Sequence, residues 1–217
     1  MPLFSDFTGL LVAVLAISVL PFVAMMVTSY AKIVVVLGLL RNALGVQQVP
    51  PNMVLNGIAI LVTMYIMAPL GMQAMATLQQ SQGAGNSSAQ VALDVFGAAR
   101  EPFRKFLGKH ADETEKRFFL RSATAIWPKD VVDMVHKDDL IVLAPAFTLT
   151  EMTDAFKIGF LLYLAFIVVD LIIANVLLAM GLNQVTPTNI AIPFKLLLFV
   201  VVSGWSTLIH GLVLTYK

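Results

Sequence analysis

Cysteine is absent from this chain of 217 residues, and charge is scarce, with 14 lysines and arginines against 13 acids. Without a thiol there is no disulfide, no thiolate ligand and no cysteine nucleophile, and the redox compartment cannot be read. The 3 histidines are scattered and form no pair at a zinc-ligand spacing. No P-loop, nucleophile elbow or H-E-x-x-H run is present, and the "GAG" of Gly83 to Gly85 has no strand ahead of it to make a nucleotide fingerprint. No enzymatic activity and no cofactor is therefore expected. A formal net charge of +1 gives no electrostatic reason to expect a nucleic-acid partner.

What is present is apolar: 59% of the residues are hydrophobic, which soluble domains of this size do not carry. From Asn42 to Leu93 there is no charged residue at all, whereas Asp94 to Asp139 holds most of the charge of the chain, balanced between acids and bases. Four apolar stretches, Thr8 to Ser29, Val54 to Thr77, Ile158 to Met180 and Ile190 to Thr215, approach the ~20 residues that cross a bilayer as helix. The pattern predicts an all-α membrane protein: an apolar helical region over residues 1–82, a charged, water-facing helical region over 83–144, and a second apolar helical region over 145–217. The first stretch lacks the basic leader of a signal peptide, since "MPLFSDF" carries Asp6 and no base, so it is not expected to be cleaved. The balanced middle region leaves orientation unassigned.

Local devices support the helical reading. "GAGNSSAQ" after Gln82 reads as a Gly/Ser linker, and beyond it Phe103, Phe106 and Leu107 recur at helical spacing. "DETEKRFFLR", Asp112 to Arg121, has acids in its first turn and bases in its last, as a solvated helix aligned with its dipole would. "DVVDMVHKDD" around His136 is acidic but offers no second histidine, and reads as a solvated face. Thr148 and Glu151 have the S/T-x-x-E spacing of a capping box, predicting a helix start just ahead of the apolar run at Ile158. That helix is expected to run to Met180, with Gly181 as its stop and Pro187 beyond.

Ionisable residues interrupt the apolar stretches at Lys32, Asp170 and Lys195. Each costs at least ~2.5 kcal/mol at membrane depth unless paired or hydrated, so they point to a bundle interior or a wet path. A turn near Asn183 to Pro187 places Asp170 and Lys195 at similar distances along two antiparallel arms, where they can face each other. The segment Leu39 to Gly57, "LLRNALGVQQVPPNMVLNG", adds Arg41, Asn42, Gln47, Gln48, Pro50, Pro51 and Asn52 between two apolar runs. An exposed loop between two membrane helices explains the prolines but not why the amides and Arg41 accompany them.

These motifs carry a resemblance. "RNALGVQQVPPNMVLNGIAI", "APAFTLTEMTDAFKIGFLLYLAFIVVDLIIANVLLAMG" and "IAIPFKLLLFVVVSGW" resemble the FliP/SctR family, the major core subunit of the type III secretion export gate, from about Pro21 to Thr215 and least across the charged middle. Its motif is matched at Arg41, Asn42, Gln47, Gln48, Pro50, Pro51, Asn52, Pro145, Glu151, Ala155, Phe156, Gly159, Phe160, Asp170, Pro193, Lys195 and Trp205. The short N-terminus is more like injectisome than flagellar members.

The resemblance implies a homopentameric helical ring, joined by two smaller export-gate membrane subunits and further apparatus proteins. Unfolded secreted proteins would enter its pore at the bacterial inner membrane, with the assembly largely at the periplasmic face. It also implies bent hairpins rather than four simple spans. It places the gate near Met180, Gly181, Leu182, Asn183 and Gln184, and an assembly role on Lys32, Arg41, Asp170 and Lys195 and on Asn42, Gln47, Gln48, Pro50, Pro51 and Asn52 at a hairpin tip. Where the family often has a methionine run after the Gly of "MG", this chain has Leu182, Asn183 and Gln184. It also has Ser203 where an acid is common and Ala165 where proline is common. Two other readings fit the residues alone: a small ion channel or transporter using the intramembrane charges, and a purely structural membrane scaffold.

Overall fold

In a computed structural model the chain is described at residues 15, 18, 19, 21–81 and 88–217. Most of the first apolar stretch up to residue 20, with the signal-peptide question, and residues 82–87 of the expected linker lie outside these. The described linker residues from Ser88 onward are already helical. No strand occurs among the described residues, so the fold is all-α.

Helix α1 (Tyr30–Leu44) is the axis of the molecule. Its buried residues Ile33, Val36, Leu37, Leu40, Ala43 and Leu44 follow the 3.6-residue period, but Ala31 and Lys32 are buried as well, so little of the helix faces out. It ends at Gly45, whose φ of 77° is the left-handed value that spares a Cβ clash at a helix C-terminus. After a tip at residues 45–51 the chain returns as α2 (Asn52–Ser81). Helix α3 (Ser88–His110) follows, then α4 (Glu113–Ile126) and the single turn α5 (Lys129–Val132). Asp112 caps α4 by accepting from the Thr114 N–H at 2.7 Å, and that bond holds its carboxyl below the usual range. Helix α6 (Leu140–Ala179) is the longest, and α7 (Pro187–Val201) and α8 (Gly204–Leu214) close the chain.

Three layers of buried side chains are stacked along α1 and α6. Phe106, Leu107, Leu143, Ala146 and Phe147 form the layer at the charged region. Ile33, Val36, Leu37, Leu55, Ala59, Ala155 and Leu212 form the middle layer. Leu40, Ala43, Leu44, Phe166 and Phe199 fill the layer beneath the tips.

Two expectations are corrected. Thr148 and Glu151 do not cap a helix, because α6 begins at Leu140 and runs through them. Burial of Val142, Leu143, Ala146 and Phe147 carries the helix upstream, which leaves the Thr148 hydroxyl donating to the Ala144 carbonyl one turn back at 2.9 Å. The four-span count also falls. Among the described residues two helices are long and apolar enough to cross a membrane, 52–79 and 140–179, or three if α7 and α8 count as one span. The last apolar stretch is broken there: α7 and α8 diverge by 61°. Ser203 at the break takes a left-handed φ of 52°, and the missing Cβ of Gly204 leaves room for the Phe199 ring.

Candidate functional site

The tip between α1 and α2 is organised by Arg41. Its Nη1 donates to Asn52 Oδ1 at 2.6 Å and to the Pro50 carbonyl at 3.3 Å, so one guanidinium ties the last turn of α1 to the first residue of α2. Gln48 takes a φ of 64°, and Asn42, Gln47, Gln48 and Pro51 are exposed. The polar residues of the opening segment thus divide in two: Arg41 and Asn52 bond each other across the tip, while the amides of Asn42, Gln47 and Gln48 face outward from the single chain.

The other hairpin brings its own tip to the same end, where an added Cβ at Gly45 would lie 3.2 Å from Ile192 of α7. Lys195, one turn further along α7, is buried and donates both to Asp170 Oδ2 of α6 at 2.6 Å and to the Ala43 carbonyl of α1 at 3.1 Å. A single ammonium therefore joins three helices and satisfies an end carbonyl of α1 that the helix itself leaves free. Asp170 Oδ1 is enclosed and has no hydrogen-bond partner within the chain.

The turn between these arms holds the gate candidates. Leu182 N–H donates to the Leu177 carbonyl at 2.9 Å and Gly181 N–H to the Leu178 carbonyl at 3.0 Å, the double bond pattern of a Schellman stop with Gly181 at φ 75°. Met180, Gly181, Leu182, Asn183 and Gln184 are all exposed.

Lys32 is paired elsewhere, in a cluster that sequence reasoning missed. Its ammonium lies 2.9 Å from Glu151 Oε1 and 3.9 Å from Asp154 Oδ2, and 4.5 Å from the centroid of the Tyr216 ring. Tyr216 donates its hydroxyl to Glu151 Oε2. Lys32 and Glu151 are both buried, so each neutralises what would otherwise be an unpaired interior charge. The signal was a lysine and a glutamate each set beside apolar runs of its helix, but the Thr148–Glu151 spacing offered a local explanation that concealed it.

The charged region is less solvated than its composition suggests. Lys116 on α4 is buried and donates to the Gly108 carbonyl at 2.5 Å and to Glu113 at 2.9 Å. Lys137 and Lys116 together hold the Glu113 carboxyl down at about 2. His136 is exposed, its backbone N–H donating to Asp139 Oδ2 at 2.7 Å, and among the described residues no group of three or more His, Cys, Asp or Glu could hold a metal.

Comparison with known proteins matches the chain along almost its whole length. The FliP family matches residues 12–212. The chain is 65% identical over 208 residues to the pathogenicity-related ORF2 of Xanthomonas campestris pv. glycines, covering 96% of each chain. It is 64% identical over 214 residues to the hypersensitivity response secretion protein HrcR of Ralstonia nicotianae, covering 98% of each. Identity is 46% over 211 residues to the Yop proteins translocation protein R of Yersinia pestis, covering 97% of each. On matches of this length and identity, the chain belongs to the FliP family, the FliP/SctR proteins of type III secretion.

Proposed function

We propose that this chain is a core subunit of a type III secretion export gate, forming with further copies of itself the inlet pore for unfolded secreted proteins at the bacterial inner membrane. Relatives named for secretion and for translocation support the role. The observation that carries the ring is the outer surface of α6. At ~1.5 Å per residue a helix of 40 residues is ~60 Å long, about twice the ~30 Å hydrocarbon core. Only 6% of its most apolar window is buried within the chain, and Phe156, Phe160, Leu161 and Leu164 stand exposed along it. Lipid can cover about half of such a helix. In the proposed ring, neighbouring copies and two smaller gate subunits share this exposed apolar surface with lipid, and the charged region, where Val142, Leu143, Ala146 and Phe147 of α6 are already buried within the chain, lies toward the periplasm.

The exposed amides of the tip fit the same reading, since Asn42, Gln47 and Gln48 supply donors and acceptors to an adjacent chain. An ion channel built on the intramembrane charges is less well supported, because Asp170 and Lys195 bond each other rather than line an open path. Native mass spectrometry of the detergent-extracted protein, expressed with and without its genomic neighbours, tests the proposal. The expected species is a ring of about five copies carrying smaller subunits. Monomer alone with partners present, or ion flux from the chain by itself, overturns it.

A further inference from the structure

The Lys32–Glu151 pair is closed over by groups from the C-terminal residues and from α3. The Tyr216 ring that covers Lys32 stacks on Phe106 at 6.1 Å and 15°, and meets the His110 ring edge-on at 5.3 Å. His110 is itself tilted against Phe106 at 4.7 Å. The last turn of α3 thus provides the seat for the tyrosine that holds Glu151. His110 also lines an open pocket of about 640 Å³, beside Asp112, Glu113, Asp154 and Lys157. Its imidazole therefore has one side on the buried cluster and one on water.

We propose that His110 is an acid-sensitive latch: protonated from this pocket, its imidazolium loosens the seat of Tyr216 and frees the C-terminal residues from the Glu151–Lys32 pair. A neutral imidazole packs between two rings at little cost, whereas a charged one is desolvated there. The cations facing it are Lys109 on its own turn, Lys32 from α1 and Lys157 from α6. The acids facing it are already engaged. Glu151 holds Lys32 and Tyr216, Asp154 pairs with Lys157 at 3.1 Å, Asp112 accepts from Thr114, and Glu113 is held by Lys116 and Lys137. Glu115, the remaining acid of the α4 start, also lines the pocket. Attraction between imidazolium and the ring faces opposes opening but is weak at a partly exposed site.

Burial chiefly, with Lys109 and Lys32 behind it, holds His110 down at about 4. A base whose folded value is depressed stabilises the closed form fully above its ordinary value of 6.5, and that contribution is lost as pH falls from there toward 4. The opened form binds the proton first, so the opening equilibrium rises about 30-fold between pH 7.5 and pH 5. This does not depend on ring formation.

Hydrogen–deuterium exchange of the full-length protein in detergent, corrected for intrinsic rates, reads the opening. The amides to follow are Thr215, Tyr216 and Lys217, which donate to the Leu212, Val213 and Leu214 carbonyls. In wild type their protection should fall about 30-fold from pH 7.5 to pH 5. His110→Gln should flatten that dependence, and Tyr216→Phe should lower protection at both pH values. Equal protection at the two pH values in wild type, or a full slope retained in His110→Gln, overturns the latch. Should the glutamine variant misfold, titration of the His110 ring signals in wild type decides: a midpoint near or above 6 overturns it.

Discussion

A lysine ammonium enclosed among apolar helices is tolerable only with a partner, and Lys195 has two. Its bond to Asp170 neutralises the charge, and its bond to the Ala43 carbonyl uses a second proton of the ammonium. Removing one member of a buried pair strands the other and typically costs ~3 to 5 kcal/mol. Here the figure is discounted, since the Asp170 side chain is 38% exposed in the single chain. Asp170→Asn or Lys195→Met alone should lower recovery of the assembled complex on size-exclusion chromatography, and the double substitution should restore part of it. The loss at Lys195 should be the larger, because Ala43 then also lacks its donor. Normal assembly of Asp170→Asn with secretion abolished would instead place Asp170 in the transport path.

At the scale of elements, α1 and α6 approach closely at Gly159. A Cβ built on Gly159 overlaps Leu39 Cδ1 and lies 3.1 Å from Leu39 Cβ, so the two helices meet at a distance that requires glycine. The Leu39 methyl can swing aside for alanine, but not its Cβ for a branched side chain. Gly159→Ala should therefore be mildly destabilising and Gly159→Val more so, within the ~1–3 kcal/mol of overpacking, as read by thermal unfolding in detergent. Adding Leu39→Ala to Gly159→Val should recover part of the loss. An unchanged unfolding temperature for Gly159→Val would mean that α1 and α6 separate freely. The position of α1 matters beyond packing, because the same helix presents Lys32 to Glu151 at one end and Arg41 to the tip at the other.

For the whole molecule, the consequence of two hairpins ending side by side is that the exposed turn at Met180 to Gln184 and the exposed amides of Asn42, Gln47 and Gln48 share one end, linked through Lys195 and Ala43. If Leu182 lines a constriction in the assembled ring, Leu182→Gly should leave assembly intact and raise the conductance of reconstituted complexes to small ions. Its side chain is exposed in the single chain and only its backbone N–H closes the helix stop, which glycine retains. Conductance equal to wild type in an assembled ring would move the gate elsewhere.

The helical character, the charged middle and the family were legible in the linear chain, because each rests on near neighbours. Apolar periodicity, Gly181 as a helix stop and the run "RNALGVQQVPPN" are all determined within a few residues of themselves, as are the Gly45 stop and the Asp112 cap that the structure adds. The facing of Asp170 and Lys195 could be anticipated for the same reason, since one tight turn relates the two arms. Only the tertiary structure decided that Lys32 meets Glu151 and Tyr216, that Leu39 sits against Gly159, and that Phe199 closes over Gly204 where the last apolar stretch breaks. Lys32 and Glu151 are far apart in the chain, and their pairing depends on how α1 lies against α6, which no local propensity encodes. An S/T-x-x-E spacing describes a helix start and an interior glutamate equally well, and the burial of Leu143 and Phe147 against α3 chose between them.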